Sequence, residues 1–186
     1  MSALPFQLTP VQPQDEGFLR ALYASHRGVD VRQWGWDALQ TDAFLAQQFK
    51  AQHVGYAQHF GAENDRIVRL DGRPVGRFFV ARVQGALRLV DIALLPAHQG
   101  QGLGTLLVQH LLTLAQAQGV DAQLSVARHN PALRLYCRLG FTVVDQDELQ
   151  LHLGRPCTPR AFTELPEQTP VAAGGTTPTG HCHATL

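Results

Sequence analysis

Gln99-Gly100-Gln101-Gly102-Leu103-Gly104 is the stretch of this sequence that decides the fold. An apolar segment at residues 87–95 precedes it, and a helical pattern at residues 105–118 follows it. The order is therefore strand, glycine-rich turn, helix. Such a turn directs several backbone N–H groups at one spot on the positive end of the helix, and this arrangement favours a phosphate-bearing ligand.

Two common phosphate-binding signatures do not fit this turn. A P-loop needs a lysine directly after its last glycine, and the single lysine, Lys50, is far away in the sequence. A dinucleotide-binding fingerprint needs glycine where Thr105 stands, and it follows the first strand of a parallel unit. Three strands of antiparallel character come first here, so both interpretations are disfavoured.

A second stretch lies downstream, Asn130-Pro131-Ala132-Leu133-Arg134-Leu135-Tyr136 followed by Leu139-Gly140-Phe141. Together with Gln99, Gly102 and Gly104, which match the pattern Gln/Arg-x-x-Gly-x-Gly/Ala, it resembles the two signature blocks of the GNAT N-acetyltransferases. The resemblance covers residues 6–153. It implies transfer of an acetyl group from acetyl-CoA, as co-substrate, to a primary amine by direct attack.

The remaining pattern predicts an α/β fold with a mixed, mostly antiparallel central sheet and helices on both faces. Strands are expected at residues 6–11, 66–70, 75–83, 87–95, 122–127, 141–144 and 149–153. Helices are expected at residues 13–27, 37–59, 105–118 and 132–139, with a break or bend allowed near Gly55. Residues 28–35 are expected to form a loop. The strand at residues 122–127 should lie parallel to the one at 87–95, because a helix crossover joins them.

A change of composition at Pro156 divides the chain. Residues 156–186 contain five Pro, three Gly and seven Thr without periodicity, which predicts a disordered tail. Residues 1–155 are then the acyl-CoA-dependent N-acyltransferase domain that the resemblance implies. His181-Cys182-His183 in the tail is a weak candidate for a metal clip, so no metal site is expected.

The overall charge limits the range of partners. Basic and acidic side chains cancel, 15 against 15, so no long-range field favours nucleic acid or an anionic membrane. Three widely spaced cysteines form no disulfide framework, and no secretory signal or membrane span is evident, which favours a cytoplasmic location. The expected partners are acetyl-CoA and an amine acceptor, and a homodimer is left open.

Two residues are candidates for the chemistry. Asp91 interrupts an otherwise apolar strand, so it needs a partner, water or a raised pKa. In the resembled family an acidic residue near this point serves as base or amine anchor; a structural Asp is the alternative. Tyr136 matches the family tyrosine that faces the CoA sulfur and is the candidate acid. Its alternative is a core aromatic.

The resemblance also implies a set of residues that contact CoA. These are Ile92, Ala93, Leu94, Gln99, Gly100, Gln101, Gly102, Leu103, Gly104, Thr105 and Asn130. Asn130 stands six residues before Tyr136 rather than the family's common seven, so it is also a candidate helix cap. Trp34 and Trp36 lie in the region that lines the acceptor site in the family, although they also suit a cover over the core.

One rival function remains open from the sequence. A domain of this type that holds acyl-CoA without catalysis, as a sensor or partner module, would carry the same glycine turn. Asp91 and Tyr136 favour the enzyme, because a pure binder has no need of them. The sequence does not identify the acceptor amine or the length of the acyl chain.

Overall fold

A mixed sheet of eight strands organises the protein. The computed structural model describes residues 5–32, 35–157 and 184–185. The strands are β1 (Gln7–Pro10), β2 (Asp65–Leu70), β3 (Arg73–Val83), β4 (Ala86–Leu94), β5 (Ala122–Ala127), β6 (Thr142–Gln146), β7 (Gln150–Arg155) and β8 (Ala184–Thr185). The helices are α1 (Glu16–Arg32), α2 (Ala38–Phe60), α3 (Leu103–Gln118) and α4 (Leu133–Arg138). Short 3₁₀ turns occupy Pro13–Asp15, Ala62–Asn64 and Pro96–His98.

The sheet order is β1-β2-β3-β4-β5-β7-β6, and β8 pairs with β4 beside this path. Strands β1 to β4 form an antiparallel meander, and β5 pairs antiparallel with β7, which pairs antiparallel with β6. Strand β5 is parallel to β4, as the helix crossover through α3 requires. The predicted fold class, mixed and mostly antiparallel, is confirmed.

Helices cover both faces of the sheet. The face towards α3 carries the main core, in which Leu107 and Leu111 pack with Phe78 and Ile92. On the other face, Tyr56 of α2 packs against strand residues. A further cluster there joins α1, α2 and β2. The two helical layers therefore give β4, in the middle of the sheet, a separate environment on each side.

Helix α1 is longer than the sequence predicts. It continues through Gly28 to Arg32, so the expected loop at residues 28–35 is wrong for residues 28–32. The extra turn buries Val31, which is 4% exposed. Burial of a valine side chain contributes about 1.5–3 kcal/mol, more than the roughly 1 kcal/mol that one helical glycine costs. Residues 33 and 34, and with them Trp34, lie outside the described residues.

Helix α2 runs unbroken through Gly55, so the bend allowed there does not occur. Its start is fixed by a capping box, in which Asp37 Oδ1 accepts from the Gln40 N–H (2.7 Å) and Gln40 Oε1 accepts from the Asp37 N–H (3.1 Å). Tyr56 and Phe49 on this helix are buried in the core. Tertiary packing along the helix thus compensates for one glycine in its last turns.

A β-bulge in β4 shifts the side-chain alternation just before Asp91. Phe79 of β3 pairs with Asp91 and Val80 pairs with Leu89, so Val90 is an extra residue. Val90 packs on the α2 face, whereas Leu89 belongs to the α3 core. In a regular strand without the bulge, strict alternation would place Asp91 on the same face as Leu89, in that apolar core. The bulge instead places the carboxylate on the α1 and α2 face.

Two residues of the C-terminal segment belong to the sheet. Ala184–Thr185 lies within the part of the chain expected to be disordered, and it forms strand β8. Residues 158–183, including His181-Cys182-His183, lie outside the described residues. Among the helices that the structure describes, none combines the length and the apolar character needed to cross a bilayer.

Gly76 provides a test of the β3–β4 contact. A Cβ at this position would collide with the Ala93 carbonyl oxygen and the Leu94 side chain. We expect Gly76→Ala to lower the free energy of unfolding by about 1–3 kcal/mol, measured by urea denaturation. Gly55→Ala is the control: its Cβ would meet nothing within 4 Å, and the change should stabilise α2 by up to about 1 kcal/mol. Equal stability of the two variants would contradict the close approach of β3 and β4.

Candidate active site

The glycine turn forms an open cradle at the start of α3. Gly100 and Gly102 have φ values of 68° and 84°, a conformation that favours glycine. The first bond of the helix runs from Leu106 N–H to the Gly102 carbonyl (3.1 Å). The N–H groups of Leu103 to Thr105 therefore precede the helical ladder, and a ligand can accept from them. A Cβ at Gly100 or Gly102 would meet nothing within 4 Å, so the space in front of the turn is free.

Two glutamine side chains hold the turn in place. Gln99 Nε2 donates to the carbonyl oxygen of Leu94 (2.9 Å), which ties the turn to the end of β4. Gln101 Nε2 donates to the Ala97 carbonyl (2.8 Å). These side chains bond back to the protein, so what the turn offers a ligand is mainly backbone.

The two signature stretches of the sequence line one cavity that is open to solvent. Its lining residues include Gly102 and Thr105 from the turn and Pro131 from the second stretch. Arg134 and Arg138 of α4 also line it, and the sequence analysis did not single them out. Their spacing of four residues places both guanidinium groups on one side of a helix, which was the available signal.

Asn130 lies before the start of α4, and Tyr136 lies within the helix. Asn130 Oδ1 accepts from the Ala132 N–H (2.9 Å), which forms an Asx turn ahead of α4. The N-cap of α4 is Ala132, which makes no side-chain cap hydrogen bond, so the expected helix cap by Asn130 is wrong. Tyr136 is fully buried and packs edge-on against Phe141, with ring centroids 6.0 Å apart. It belongs to the same core cluster as the apolar residues of α3.

Strands β4 and β5 separate beyond the bulge. Their pairing ends at Leu89 and Leu124, and β5 then continues beside β7 alone. Strand β3 occupies the other edge of β4 throughout, so β8, which pairs with Ile92 and Ala93, lies on the edge that β5 has left. The backbone that the resemblance assigns to the thioester is therefore an edge able to pair with an extended chain.

A buried ion network lies beside this edge. Arg77 donates to Asp65 through Nε (2.9 Å) and Nη2 (2.6 Å), and to Asp91 Oδ2 through Nη1 (3.1 Å). All three side chains are at most 6% exposed. Burial raises the pKa of Asp91 to about 6, although the Arg77 charge opposes this shift. Asp91 thus has both the partner and the raised pKa that its sequence context called for.

The second carboxylate oxygen of Asp91 differs from the first in its hydrogen bonding. Asp91 Oδ1 is buried and has no hydrogen-bond partner among the described residues. A small cavity under α1 and α2 is lined there by Asp91 and Ala93 of β4 and by Tyr23 and His26 of α1. Neither Tyr23 nor His26 was a predicted site residue. With Leu19 and Leu22 they recur at three- and four-residue spacing, which marks one face of a helix.

The remaining candidates lie outside these cavities. Trp36 is 41% exposed and contacts Phe44, with centroids 5.3 Å apart, and it does not line the cavity under α1 and α2. Residues 5–32, 35–157 and 184–185 hold no cluster of three or more His, Cys, Asp or Glu side chains that suits a metal ion.

A polar cluster on β5 and β7 also escaped the sequence analysis. Ser125 Oγ lies 2.7 Å from His152 Nδ1, and His152 Nε2 lies 3.4 Å from Asp147 Oδ2. Arg88 donates to the same serine oxygen (2.7 Å). Only the long-range register of β5 with β7 brings these residues together.

Comparison with known proteins places the chain in a family. The model of the Acetyltransferase (GNAT) family matches residues 20–141. No curated protein sequence matches significantly. Among solved structures, PaiA N-acetyltransferase from Thermoplasma acidophilum, in complex with coenzyme A, has a TM-score of 0.61 at 14% identity and covers 82% of this chain and 99% of its own. An acetyltransferase from Thermus thermophilus has a TM-score of 0.58 at 22% identity, with 84% and 99% covered. Both are similar to this chain in fold.

We expect removal of the Arg77 guanidinium group to destabilise the protein strongly. Arg77→Met should lower the free energy of unfolding by about 3–5 kcal/mol, because it leaves two buried carboxylates without compensation. Arg82→Met is the control, since Arg82 is exposed and bonds Gln118 at 3.4 Å; it should change stability by less than about 0.5 kcal/mol. Chemical denaturation of both variants measures the difference. Similar stabilities would show that the network is not a structural constraint.

Proposed function

This chain belongs to the GNAT acetyltransferase family, and on that premise we propose that it moves an acetyl group from acetyl-CoA to a primary amine by direct attack. One observation supports this most strongly. The glycine turn and α4 line an open cavity on the α3 side of β4, while a cavity with a buried carboxylate lies on the α1 and α2 side. A donor and an acceptor would then meet at β4 from opposite faces.

The diphosphate of acetyl-CoA fits the glycine turn. The first N–H groups of α3 supply a neutral anion nest, and the glycines keep Cβ atoms away from the phosphate oxygens. Arg134 and Arg138 line the same cavity and add positive charge to one side of it. The contact of Asn130 with CoA is part of the proposal only through its backbone position, because its side-chain oxygen accepts from the Ala132 N–H in a turn before α4.

The pantetheine amides fit the free edge of β4. Ile92 to Leu94 present backbone N–H and C=O groups on the side that β5 has left, and a backbone N–H there would polarise the acyl carbonyl. Strand β8 pairs with Ile92 and Ala93 at this edge. Acetyl-CoA and β8 therefore compete for the same backbone groups.

The chemistry needs a proton acceptor and a proton donor. For an amine with a pKa of about 10.4, only roughly one molecule in 2,500 is neutral at pH 7. Asp91 serves as base or as anchor for the ammonium group, because its Oδ1 has no hydrogen-bond partner among the described residues while its Oδ2 is bound to Arg77. Tyr136 supplies a proton to the departing thiolate.

Release of free CoA thiol from acetyl-CoA in the presence of a panel of primary amines tests the proposal. Turnover with at least one amine is expected. Tight CoA binding without turnover for any amine would instead indicate the rival function, an acyl-CoA-binding module.

Gly102→Val tests the position of the diphosphate. Valine at φ 84° is strained, and its side chain would project into the free space in front of the turn. We expect loss of CoA binding in isothermal titration with the fold retained by circular dichroism. Gly119→Val is a matched control, because Gly119 at the other end of α3 also has a positive φ (64°) and free space. Equal CoA affinity in both variants would show that the diphosphate binds elsewhere.

Tyr136→Phe tests the proposed acid. The change keeps the ring packed against Phe141 and removes only the hydroxyl group. We expect kcat to fall by about 10²-fold or more while KM for acetyl-CoA changes little. An unchanged kcat would reduce Tyr136 to a packing residue.

A further inference from the structure

We propose that His26 is the general base that takes the proton from the acceptor ammonium, and that Asp91 is the anchor that holds the ammonium beside it. This inference rests on the proposed acetyl transfer and assigns the two roles that were left open for Asp91. His26 comes from α1, outside both signature stretches, so the family resemblance gives no reason to select it.

The position of His26 supports this role. His26, Asp91 and Ala93 line one cavity under α1 and α2. Ala93 belongs to the backbone edge proposed for the thioester, so a base in this cavity faces the reacting carbon from the side opposite the CoA cavity. Asp91 and Ala93 are two residues apart on β4, and their side chains therefore point to the same face.

The hydrogen bonding of His26 leaves one nitrogen available. Its Nε2 is buried and has no partner among the described residues. Proximity to the Leu94 backbone favours the protonated ring and opposes the effect of burial on the His26 pKa. For Nε2 to accept a proton from the ammonium group, the proposed base carries its own proton on Nδ1.

The charges around the cavity keep this imidazole neutral. Burial lowers the pKa of His26, and the nearby Arg27 charge lowers it further, against the opposing Leu94 contact. The titratable groups lining the cavity are Tyr23 and Arg27 from α1, Arg77 from β3 and Asp91 from β4. Helix α2 contributes Phe49 and Gln52, which carry no charge. A neutral base is therefore present at pH 7.

Asp91 suits the anchor better than the base. Its Oδ2 is bound to Arg77, whereas its Oδ1 lacks a partner among the described residues. An ammonium group donating to Oδ1 would satisfy that buried oxygen and add a second counter-charge. A carboxylate held between two cations has little tendency to take up a proton.

The other histidine near the separated strands does not fit the role. Both ring nitrogens of His152 are engaged, Nδ1 with Ser125 Oγ at 2.7 Å and Nε2 with Asp147 Oδ2 at 3.4 Å. Neither nitrogen is placed to accept a proton from an amine without breaking a contact.

The proton balance closes with the residues assigned. His26 Nε2 takes one proton from the ammonium group and later releases it to solvent. The neutral amine attacks the acyl carbon, a C–N bond forms and the C–S bond breaks. Tyr136 gives its proton to the thiolate and recovers the second proton lost by the nitrogen. The products are the amide, the free thiol and one proton.

Kinetics of two variants separate base from anchor. Released thiol is measured with n-butylamine, 2-phenylethylamine and a dipeptide with a free amino group. His26→Gln should lower kcat by about 10²–10⁴-fold with little change in KM for the amine. Asp91→Asn should chiefly raise KM for the amine. His110→Gln is the control, because burial also lowers the pKa of His110, which packs on Phe6 and Phe78 away from this cavity.

A second measurement does not depend on turnover. In ¹⁵N NMR of the full chain at pH 7, the imidazole of His26 should be neutral with its proton on Nδ1. A protonated ring, or a proton on Nε2, would overturn the assignment. So would a kcat of His26→Gln within about threefold of the wild-type value. Absence of wild-type turnover with every amine would overturn the proposed function itself, which distinguishes the two failures.

Discussion

The buried guanidinium of Arg77 is the constraint on which the middle of this protein depends. A cation taken out of water needs compensation, and two carboxylates from neighbouring strands, Asp65 and Asp91, provide it. These bonds connect β2, β3 and β4 on one face of the sheet. They also require Asp91 to point towards α1 and α2, and the extra residue Val90 makes that orientation possible. The ion network and the bulge therefore depend on each other.

The sequence was most informative where the signal was local. The glycine turn, the amphipathic helix after it and the parallel β5 follow from residue type and spacing within short windows, and the structure agrees. The sequence was least informative where contacts between residues far apart in the chain determine the structure. Arg77 is 14 residues from Asp91, and no local pattern pairs them. The bulge at Val90 is invisible in a strand that is apolar on both faces.

The last turn of α1 was missed because Gly28 looked like a helix terminus. Burial of Val31 outweighs the cost of a glycine inside the helix. His26 could be placed on a helix face but not against β4.

The two faces of β4 differ in how they handle charge. On the α3 face, backbone N–H groups and two arginines line an open cavity, so an anion can bind without any net charge on the chain, which carries 15 basic and 15 acidic residues. On the other face, burial of the carboxylate raises the pKa of Asp91 to about 6. One strand thus separates the cavity proposed for the anion from the cavity with the buried carboxylate, and in the proposed reaction the amine and the thioester meet across it.

The pairing of β8 with β4 shows what the free edge of the sheet selects. Ala184–Thr185 is held by the parallel register with Ile92 and Ala93, a contact made by main-chain atoms. Recognition of this kind depends on an extended backbone and not on a nucleotide. An inhibitor of the proposed acetyl transfer therefore need not imitate coenzyme A: a short peptidomimetic with correctly spaced amides could occupy the edge.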